Sequence, residues 1–200
     1  MSAGRAIAAA IVGGIVMFGW GAASHMILPI GDMGLKSLPN EEGLVTTLKS
    51  NVTERGFYLF PGMGHGEVTE EEMKAWEEKY QQGPRGVLVF DPTGDAAMSP
   101  AMLGTEFVSN FLACLIAACI LARIATGRFE RGLIAGGFGV LGWLSIEVSF
   151  WNWYRFPTQF AVGELIDQSA GWLLAGWAIA LVLPRARVEA PATGTAPAKA

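Results

Sequence analysis

The chain has 200 residues, of which 52% are hydrophobic and 16% are charged, and its mean hydropathy is +0.37. This balance argues against an ordinary soluble domain and favours a protein that crosses a membrane several times. The net charge is −4, but residues 31–100 hold 12 acidic and 6 basic residues, so this segment carries −6 and the rest of the chain +2. The acidic segment and the absence of a basic face argue against nucleic-acid binding.

The first apolar stretch, residues 6–30, is long enough to cross a bilayer as a helix. A cleavable signal peptide is the alternative, because the start is weakly basic and small residues follow at 22–24. The length of the stretch favours a retained helix. At its far end, Ser24 and His25 introduce polar groups. His25 is either a hydrogen-bonded interfacial histidine or a proton acceptor or ligand in a polar site.

The polar segment after this helix has a pattern that predicts two helices and two strands. Asn40 is a candidate cap for a short helix, and Thr69 precedes a second helix with Glu72 in capping-box spacing. Residues 56–60 (GFYLF) and 86–90 (GVLVF) are typical of strands that end in turns. The result is a small α+β cap, which we expect to rest on the membrane helices or on a partner because its own core is small.

The second membrane helix is predicted to begin at Ser99-Pro100, with serine as the cap, and to run to about residue 124. One of its faces carries small and polar side chains, so this face should contact protein rather than lipid. These residues are Glu106, Ser109, Asn110, Ala113 and Ala117. Cys114 and Cys119 lie five residues apart on this helix and point to different faces, so no disulfide is expected between them.

Arginines orient the chain. The connection after the second helix carries Arg123, Arg128 and Arg131, and the positive-inside rule places it in the cytoplasm. Arg5 before the first helix and Arg185 after the last lie on the same side if the chain crosses the membrane four times. Both termini are therefore predicted to be cytoplasmic and the acidic cap extracytoplasmic.

The third and fourth membrane helices are predicted to form a hairpin with an aromatic turn. The third covers residues 132–153 and ends in an aromatic belt, and the fourth runs to about residue 184. Small residues spaced four apart offer faces for close helix packing. The glycines predicted to pack in this way are Gly13, Gly14, Gly21, Gly132, Gly136, Gly139 and Gly171.

The predicted fold is therefore a membrane all-α protein, a four-transmembrane-helix bundle with a small α+β extracytoplasmic insertion between helices 1 and 2. The chain divides into the first transmembrane helix (1–30), the acidic cap (31–100), transmembrane helices 2–4 (101–184) and a disordered cytoplasmic tail (185–200). The tail is predicted from its Ala/Pro/Thr-rich composition.

Carboxylates inside the apolar runs are the most unusual feature, because an ionised acid in a bilayer is costly unless it faces a polar cavity or a partner. The helical rise places four acids, together with His25, within about 15 Å of the outer interface. The sequence therefore predicts an outward-facing polar chamber under the cap. Its candidate members are Ser24, His25, Glu106, Asn110, Glu147, Asn152, Glu164, Asp167 and Gln168.

Three interpretations of this chamber are open. A carboxylate-bridged metal site would need paired Glu-x-x-His motifs, which the chain lacks, and His65 in the cap is isolated, so no metal or other cofactor is predicted. A pocket would hold a proton or a small molecule between the acids. Alternatively, hydrogen-bonded carboxylates simply tie the helices together, with tryptophan indoles and asparagine amides as donors.

Five stretches of the chain carry a resemblance. Residues 20–29 (WGAASHMILP), 37–42 (SLPNEE), 56–62 (GFYLFPG), 83–90 (GPRGVLVF) and 150–168 (from FWNWYRFP to GELIDQ) resemble a group of small uncharacterised bacterial inner-membrane proteins with four transmembrane helices. The resemblance covers nearly the whole chain except its ends. It implies a bacterial source and one integrated unit, and it supplies no activity and no catalytic residue.

Two classes of function follow. The sequence favours an accessory or scaffold protein of a bacterial cytoplasmic-membrane complex, whose partners are the lipid bilayer and other membrane subunits or a second copy of itself. The alternative is an outward-facing pocket protein, either a proton-linked small-molecule carrier or a membrane-embedded enzyme that uses the clustered carboxylates. Four helices without an internal repeat are few for a monomeric transporter, and no nucleotide, haem or flavin motif is present. An enzyme is the less favoured reading.

Overall fold

The computed structural model describes residues 1–64 and 66–185, so the expectations for His65 and for the tail after Arg185 lie outside it. Within these residues, four helices are long and apolar enough to cross a membrane, as the sequence predicts. A two-stranded sheet and two further helices form the segment between the first two of them. The fold is therefore mostly helical, with four helices long and apolar enough to span a membrane and a small insertion that contains a two-stranded sheet.

The first helix, α1, covers Ala3–Met26 and ends four residues before the predicted boundary. The chain turns back because the N–H groups of Ile27 and Leu28 both donate to the Ala23 carbonyl, and Gly31 N–H donates to the Ser24 carbonyl. Gly34 follows with a φ of +81° and lies against the backbone of Phe160, where a side chain would overlap it. This short return segment therefore packs on the start of the last helix.

The insertion contains α2 (Glu41–Asn51), strand β1 (Gly56–Phe60), α3 (Glu70–Gln82) and strand β2 (Gly86–Phe90). The strands pair antiparallel, in a register that runs from Gly56 opposite Phe90 to Phe60 opposite Gly86. Both helices and both strands are where the sequence predicts them.

Helix caps explain two boundaries in this segment. At the start of α3, the Thr69 hydroxyl accepts from Glu72 N–H and the Glu72 carboxylate accepts from Thr69 N–H, which confirms the capping box. The predicted role of Asn40 is wrong, because this residue adopts a left-handed conformation with φ at 50° and its side chain makes no capping hydrogen bond.

One contact between the cap and the membrane helices is a pair of aromatic side chains. The Phe57 ring on β1 meets the Tyr154 ring edge to face at 5.4 Å. Within the cap, the Trp76 indole of α3 donates to the Pro61 carbonyl at 3.0 Å and stacks near Tyr80. This face of α3 packs as its helical spacing predicts.

The second membrane helix, α4, covers Pro100–Leu121 and ends three residues before the predicted boundary. Ser99 caps it by accepting from Met102 N–H at 3.3 Å, and Pro100 occupies the first turn, as predicted. The last helix, α7, covers Thr158–Val182.

The third membrane helix departs from the prediction of one regular helix over residues 132–153. It begins earlier, as α5 (Arg128–Gly142), passes through a π-helical turn at Trp143–Glu147, and ends as α6 (Val148–Trp153). Within this turn, the Ser145 hydroxyl donates to the carbonyls of Leu141 and Gly142. These bonds compete with the regular backbone hydrogen bonds of an α-helix. A pattern of apolar residues does not reveal such a turn.

The membrane helices lie side by side in the order α4, α1, α7, α5, and each packs mainly on its neighbour in this series. The buried core is concentrated at the end that carries the arginine-rich connection, where Cys114, Leu121, Ile179 and Leu183 meet. At the other end, α4 contacts α1 but stands apart from α7. The helices are thus closed at the arginine end and open at the cap end.

Six of the seven predicted packing glycines lie where another helix is close. A Cβ on Gly132 would overlap the Trp177 indole, and one on Gly139 would overlap the backbone of Gln168. The other close approaches are those of Gly13 to Ile179, Gly14 to Phe111, Gly136 to Leu173 and Gly171 to Met17 and Trp20. Gly21 departs from the prediction, because no atom lies within 4 Å of its Cβ position and it faces an open groove.

Candidate functional site

A groove of about 640 Å³ opens between α1, α4 and α7 at the cap end of the helices. It exists because α4 leans on α1 and approaches α7 only near the arginine end. We call it the polar groove. The predicted polar residues that line it are His25, Glu106, Asn110, Glu164, Asp167 and Gln168. Six of the nine candidates therefore share one cavity.

Helix α7 supplies one wall. Glu164, Asp167 and Gln168 follow one another at helical spacing, so one face of the helix presents all three. The Trp20 indole of α1 donates to the Asp167 backbone carbonyl at 3.1 Å, which fixes α1 against this wall. His25 Nε2 lies 3.7 Å from Asp167 Oδ2, and about half of the histidine side chain is exposed. His25 and Asp167 thus form a contact between two helices at the rim of the groove.

Helix α4 supplies the opposite wall through the predicted polar stripe. Glu106, Ser109, Asn110 and Ala113 line the groove, whereas Ala117 is buried in the core below it. The Asn110 side-chain amide donates to Glu106 Oε1 at 3.1 Å, one turn away on the same helix. The amide therefore orients the Glu106 carboxylate and does not tie α4 to another helix.

The other three candidates lie outside the groove. Ser24 is fully buried and its hydroxyl donates to the Gly21 carbonyl of its own helix at 3.2 Å. Glu147 and Asn152 belong to the third membrane helix, which packs on α7 and does not border the groove. The reason is the order of the helices in space, which depth along each helix does not reveal.

Aromatic and sulfur-containing side chains complete the lining. Trp20, Trp172, Phe18 and Met17 lie beside the polar residues, and no lysine or arginine among residues 1–64 and 66–185 lines the groove. The position of these aromatic and methionine side chains in the groove lining was not predicted from the sequence. The signal was present for Phe18, which precedes His25 by seven residues, or two helical turns, and so lies on the same face of α1.

The tryptophan indoles do not bond the carboxylates. Trp20 donates to the Asp167 backbone, Trp143 to the Ala161 carbonyl at 2.6 Å, and Trp177 to the Phe129 carbonyl at 3.3 Å. In the described part of the chain, no membrane carboxylate accepts a hydrogen bond from a side chain of another helix. Backbone carbonyls and close glycine contacts therefore join the helices, and the contact between His25 and Asp167 adds to them between α1 and α7.

The chemical character of the groove is that of a receptor for donors and cations. Three carboxylates and one imidazole face a space that suits a small molecule. Among residues 1–64 and 66–185, no group of three His, Cys, Asp or Glu side chains is arranged to hold a metal ion.

No protein-family model, curated protein or solved structure matches the chain.

Proposed function

We propose that the protein binds a small, positively charged molecule in the polar groove. The observation that carries this proposal is that Glu106, Glu164 and Asp167 line one cavity and that none of the described residues lining it is a lysine or arginine. A carboxylate at membrane depth is stabilised by a cation beside it. The rings of Trp20 and Trp172 add the attraction of an aromatic face for a cation.

The proposed location is the bacterial cytoplasmic membrane, with both termini cytoplasmic and residues 31–100 extracytoplasmic. The support is the uneven distribution of charge, since Arg5, Arg123 and Arg128 lie at one end of the helices and the acidic cap at the other. The resemblance to small bacterial inner-membrane proteins agrees with this placement. In this orientation the groove opens outward, beneath the cap.

We propose binding rather than transport or catalysis. Below the groove, Cys114, Leu121 and Ile179 are fully buried and close the space between the helices. A bound molecule therefore has no passage to the arginine end through the described residues in this conformation. The ligand's amino groups would be held by the Glu164 and Asp167 carboxylates and its chain by the aromatic walls.

Thermal unfolding in lipid nanodiscs tests the proposal, with spermidine and choline as probes and KCl at equal ionic strength as the reference. We expect at least one probe to raise the Tm of the native protein at millimolar concentration. Glu164→Gln should abolish this rise, because it removes a groove carboxylate. Glu130→Gln is the matched control, because it neutralises an acid at the arginine end of α5, outside the groove, and should keep the response. No rise with either probe, or an equal rise in both variants, would contradict the proposal.

A second candidate function, the accessory subunit, has its own supporting observation. Each of residues 100–109 of α4 is exposed, and the polar stripe begins there with Glu106 and Ser109. A partner helix lying along α4 would remove these polar groups from lipid. Purification in a mild detergent followed by native mass measurement tests this candidate, and recovery of a monomer alone would count against it.

A further inference from the structure

The β-hairpin of the cap has an apolar face that the rest of the described chain covers only in part, where the Tyr154 ring meets Phe57. Phe57 lies opposite Val89 and Leu59 opposite Val87, so these four side chains project to the same side of the sheet. We call this the hairpin face. Val89 is 74% exposed, and Phe57 and Leu59 are about half exposed. On the other side, Tyr58, Leu88 and Phe90 are all half-buried.

The hairpin face lies at the level of the aromatic end of the third membrane helix. The Phe57 ring contacts the Tyr154 ring, which directly follows that helix. The span from Arg128 to Trp153 has 26 residues and is therefore roughly 39 Å long. This exceeds the hydrocarbon thickness of about 30 Å, so Trp153 and Tyr154 reach the headgroup region. Trp153 is 73% exposed and continues the apolar surface of the hairpin.

Three arginines lie beside this surface although the cap as a whole is acidic, and one of them, Arg85, lies over the Tyr80 ring at 4.8 Å. Arg85 immediately precedes β2, and Arg155 follows Tyr154; both line the same cavity as Phe57 and Trp153. Arg55 immediately precedes β1, where it pairs with Asp91. Aromatic rings with arginines beside them are typical of protein segments at the membrane–water interface, where the rings lie among headgroups and the guanidinium groups reach phosphates.

We propose that the hairpin face is an interfacial membrane anchor, which inserts into the outer leaflet beside Trp153 with Arg85 and Arg155 at the lipid phosphates. The occupant is the phospholipid bilayer, because the face is continuous with an aromatic surface that a membrane-spanning helix carries to headgroup depth. The anchor holds the cap down on the bilayer and so fixes the position of the cap above the polar groove. This inference rests on the proposed membrane placement and not on ligand binding in the groove.

Spin-label accessibility in nanodiscs tests the anchor, with phosphatidylethanolamine and phosphatidylglycerol as the lipids. The label is placed by Val89→Cys in a background with Cys114→Ala and Cys119→Ala. Ile116→Cys, on an exposed apolar position of α4, is the lipid reference, and Glu77→Cys, on the exposed side of α3, is the water reference. We expect the label at 89 to be more accessible to oxygen than to a water-soluble nickel chelate, as at 116.

Two results would overturn the anchor. A label at 89 that behaves like the label at 77 would show that the hairpin face is in water while the helices are in lipid. A label at 116 that reports water would instead refute the membrane placement, and the anchor with it. The double variant Arg85→Glu with Arg155→Glu should move the label at 89 towards the aqueous value, because its carboxylates are repelled by phosphates. If the accessibility of the label at 89 did not change in the double variant, the proposed role of the two arginines in the anchor would be refuted.

Discussion

Arg131 shows how a residue that orients the chain can also stabilise it. Its side chain is only 3% exposed, and it donates to the Pro184 carbonyl at 2.7 Å and to the Ile124 carbonyl at 3.2 Å. These carbonyls lie just beyond the ends of α7 and α4, where helices leave acceptors unpaired and where a positive charge is favourable. The positive-inside rule identifies the charge but says nothing about these bonds.

Replacement of this residue should destabilise the closed end of the helices. We expect Arg131→Ala to cost about 2 kcal/mol, the typical value of a hydrogen bond to a charged group, and to lower the Tm by roughly 4–8 °C. Arg123→Ala is the control, because Arg123 is exposed in the same connection. Thermal unfolding of both variants in one detergent measures the difference, and equal Tm values would refute the role of Arg131.

A second residue-scale prediction concerns the cap of α3. The backbone N–H of Thr69 and then its hydroxyl donate to the Glu72 carboxylate, and these bonds hold the Glu72 pKa below its ordinary value of 4.5. Because the pKa is lowered in the folded state, the ionised Glu72 carboxylate stabilises the fold above about pH 4.5. This stabilisation is lost as the pH falls through the pKa of the folded state. Acid should therefore loosen the start of α3.

Thr69→Ala removes the hydroxyl and should raise the Glu72 pKa part of the way towards 4.5, since the backbone bond remains. Carboxyl NMR shifts followed across a pH titration measure this change. Thr46→Ala removes a comparable exposed hydroxyl from α2 and should leave the Glu72 pKa unaltered. A Glu72 pKa that is the same in both variants would show that the capping box does not form in solution.

At the scale of elements, glycines determine how closely α5 and α7 approach. Gly139 is buried against the backbone of Gln168, whereas Gly137 on the same helix has no atom within 4 Å of its Cβ position. A methyl group at 139 would have to displace backbone, which cannot rotate away. One at 137 would extend into free space.

Gly139→Ala should therefore destabilise the protein by about 1–3 kcal/mol, the usual cost of an overpacked site. Gly137→Ala should be neutral or stabilise the helix by up to about 1 kcal/mol, because alanine has the higher helix propensity. Unfolding of the two variants in the same detergent provides the comparison. If Gly139→Ala proved as stable as Gly137→Ala, the close contact between α5 and α7 would be refuted.

Local features of the elements were predictable, whereas their exact course was not. The caps at Ser99 and Thr69 depend on side chains within three residues, so sequence spacing identifies both. The return of the chain after Met26 and the π-helical turn at Trp143–Glu147 depend instead on contacts with distant parts of the chain or on competing hydrogen bonds. The periodicity of apolar residues therefore predicts neither the chain reversal nor the π-helical turn.

At the scale of the whole molecule, the helix order decides which acids meet. Depth along each helix predicts that Glu106, Glu164 and Asp167 lie near one level, and the three residues line the polar groove. The same reasoning includes Glu147. This residue lies on the third membrane helix, which follows α7 in the order of the helices and does not reach α4 at this level. The order of the helices in space cannot be read from the sequence, so the sequence cannot distinguish the acids that line the groove from Glu147, which does not.

The central claim is that the polar groove opens outward and selects cations. Ala113 lines the groove on α4, so Ala113→Cys in the background with Cys114→Ala and Cys119→Ala reports on it directly. Intact cells are treated with membrane-impermeant thiosulfonates, one cationic and one anionic, and each rate is divided by its rate with a free thiol. We expect the normalised cationic rate to exceed the anionic rate by about 10-fold, because carboxylates concentrate cations in a cleft. Equal normalised rates, or no modification from outside, would contradict the claim.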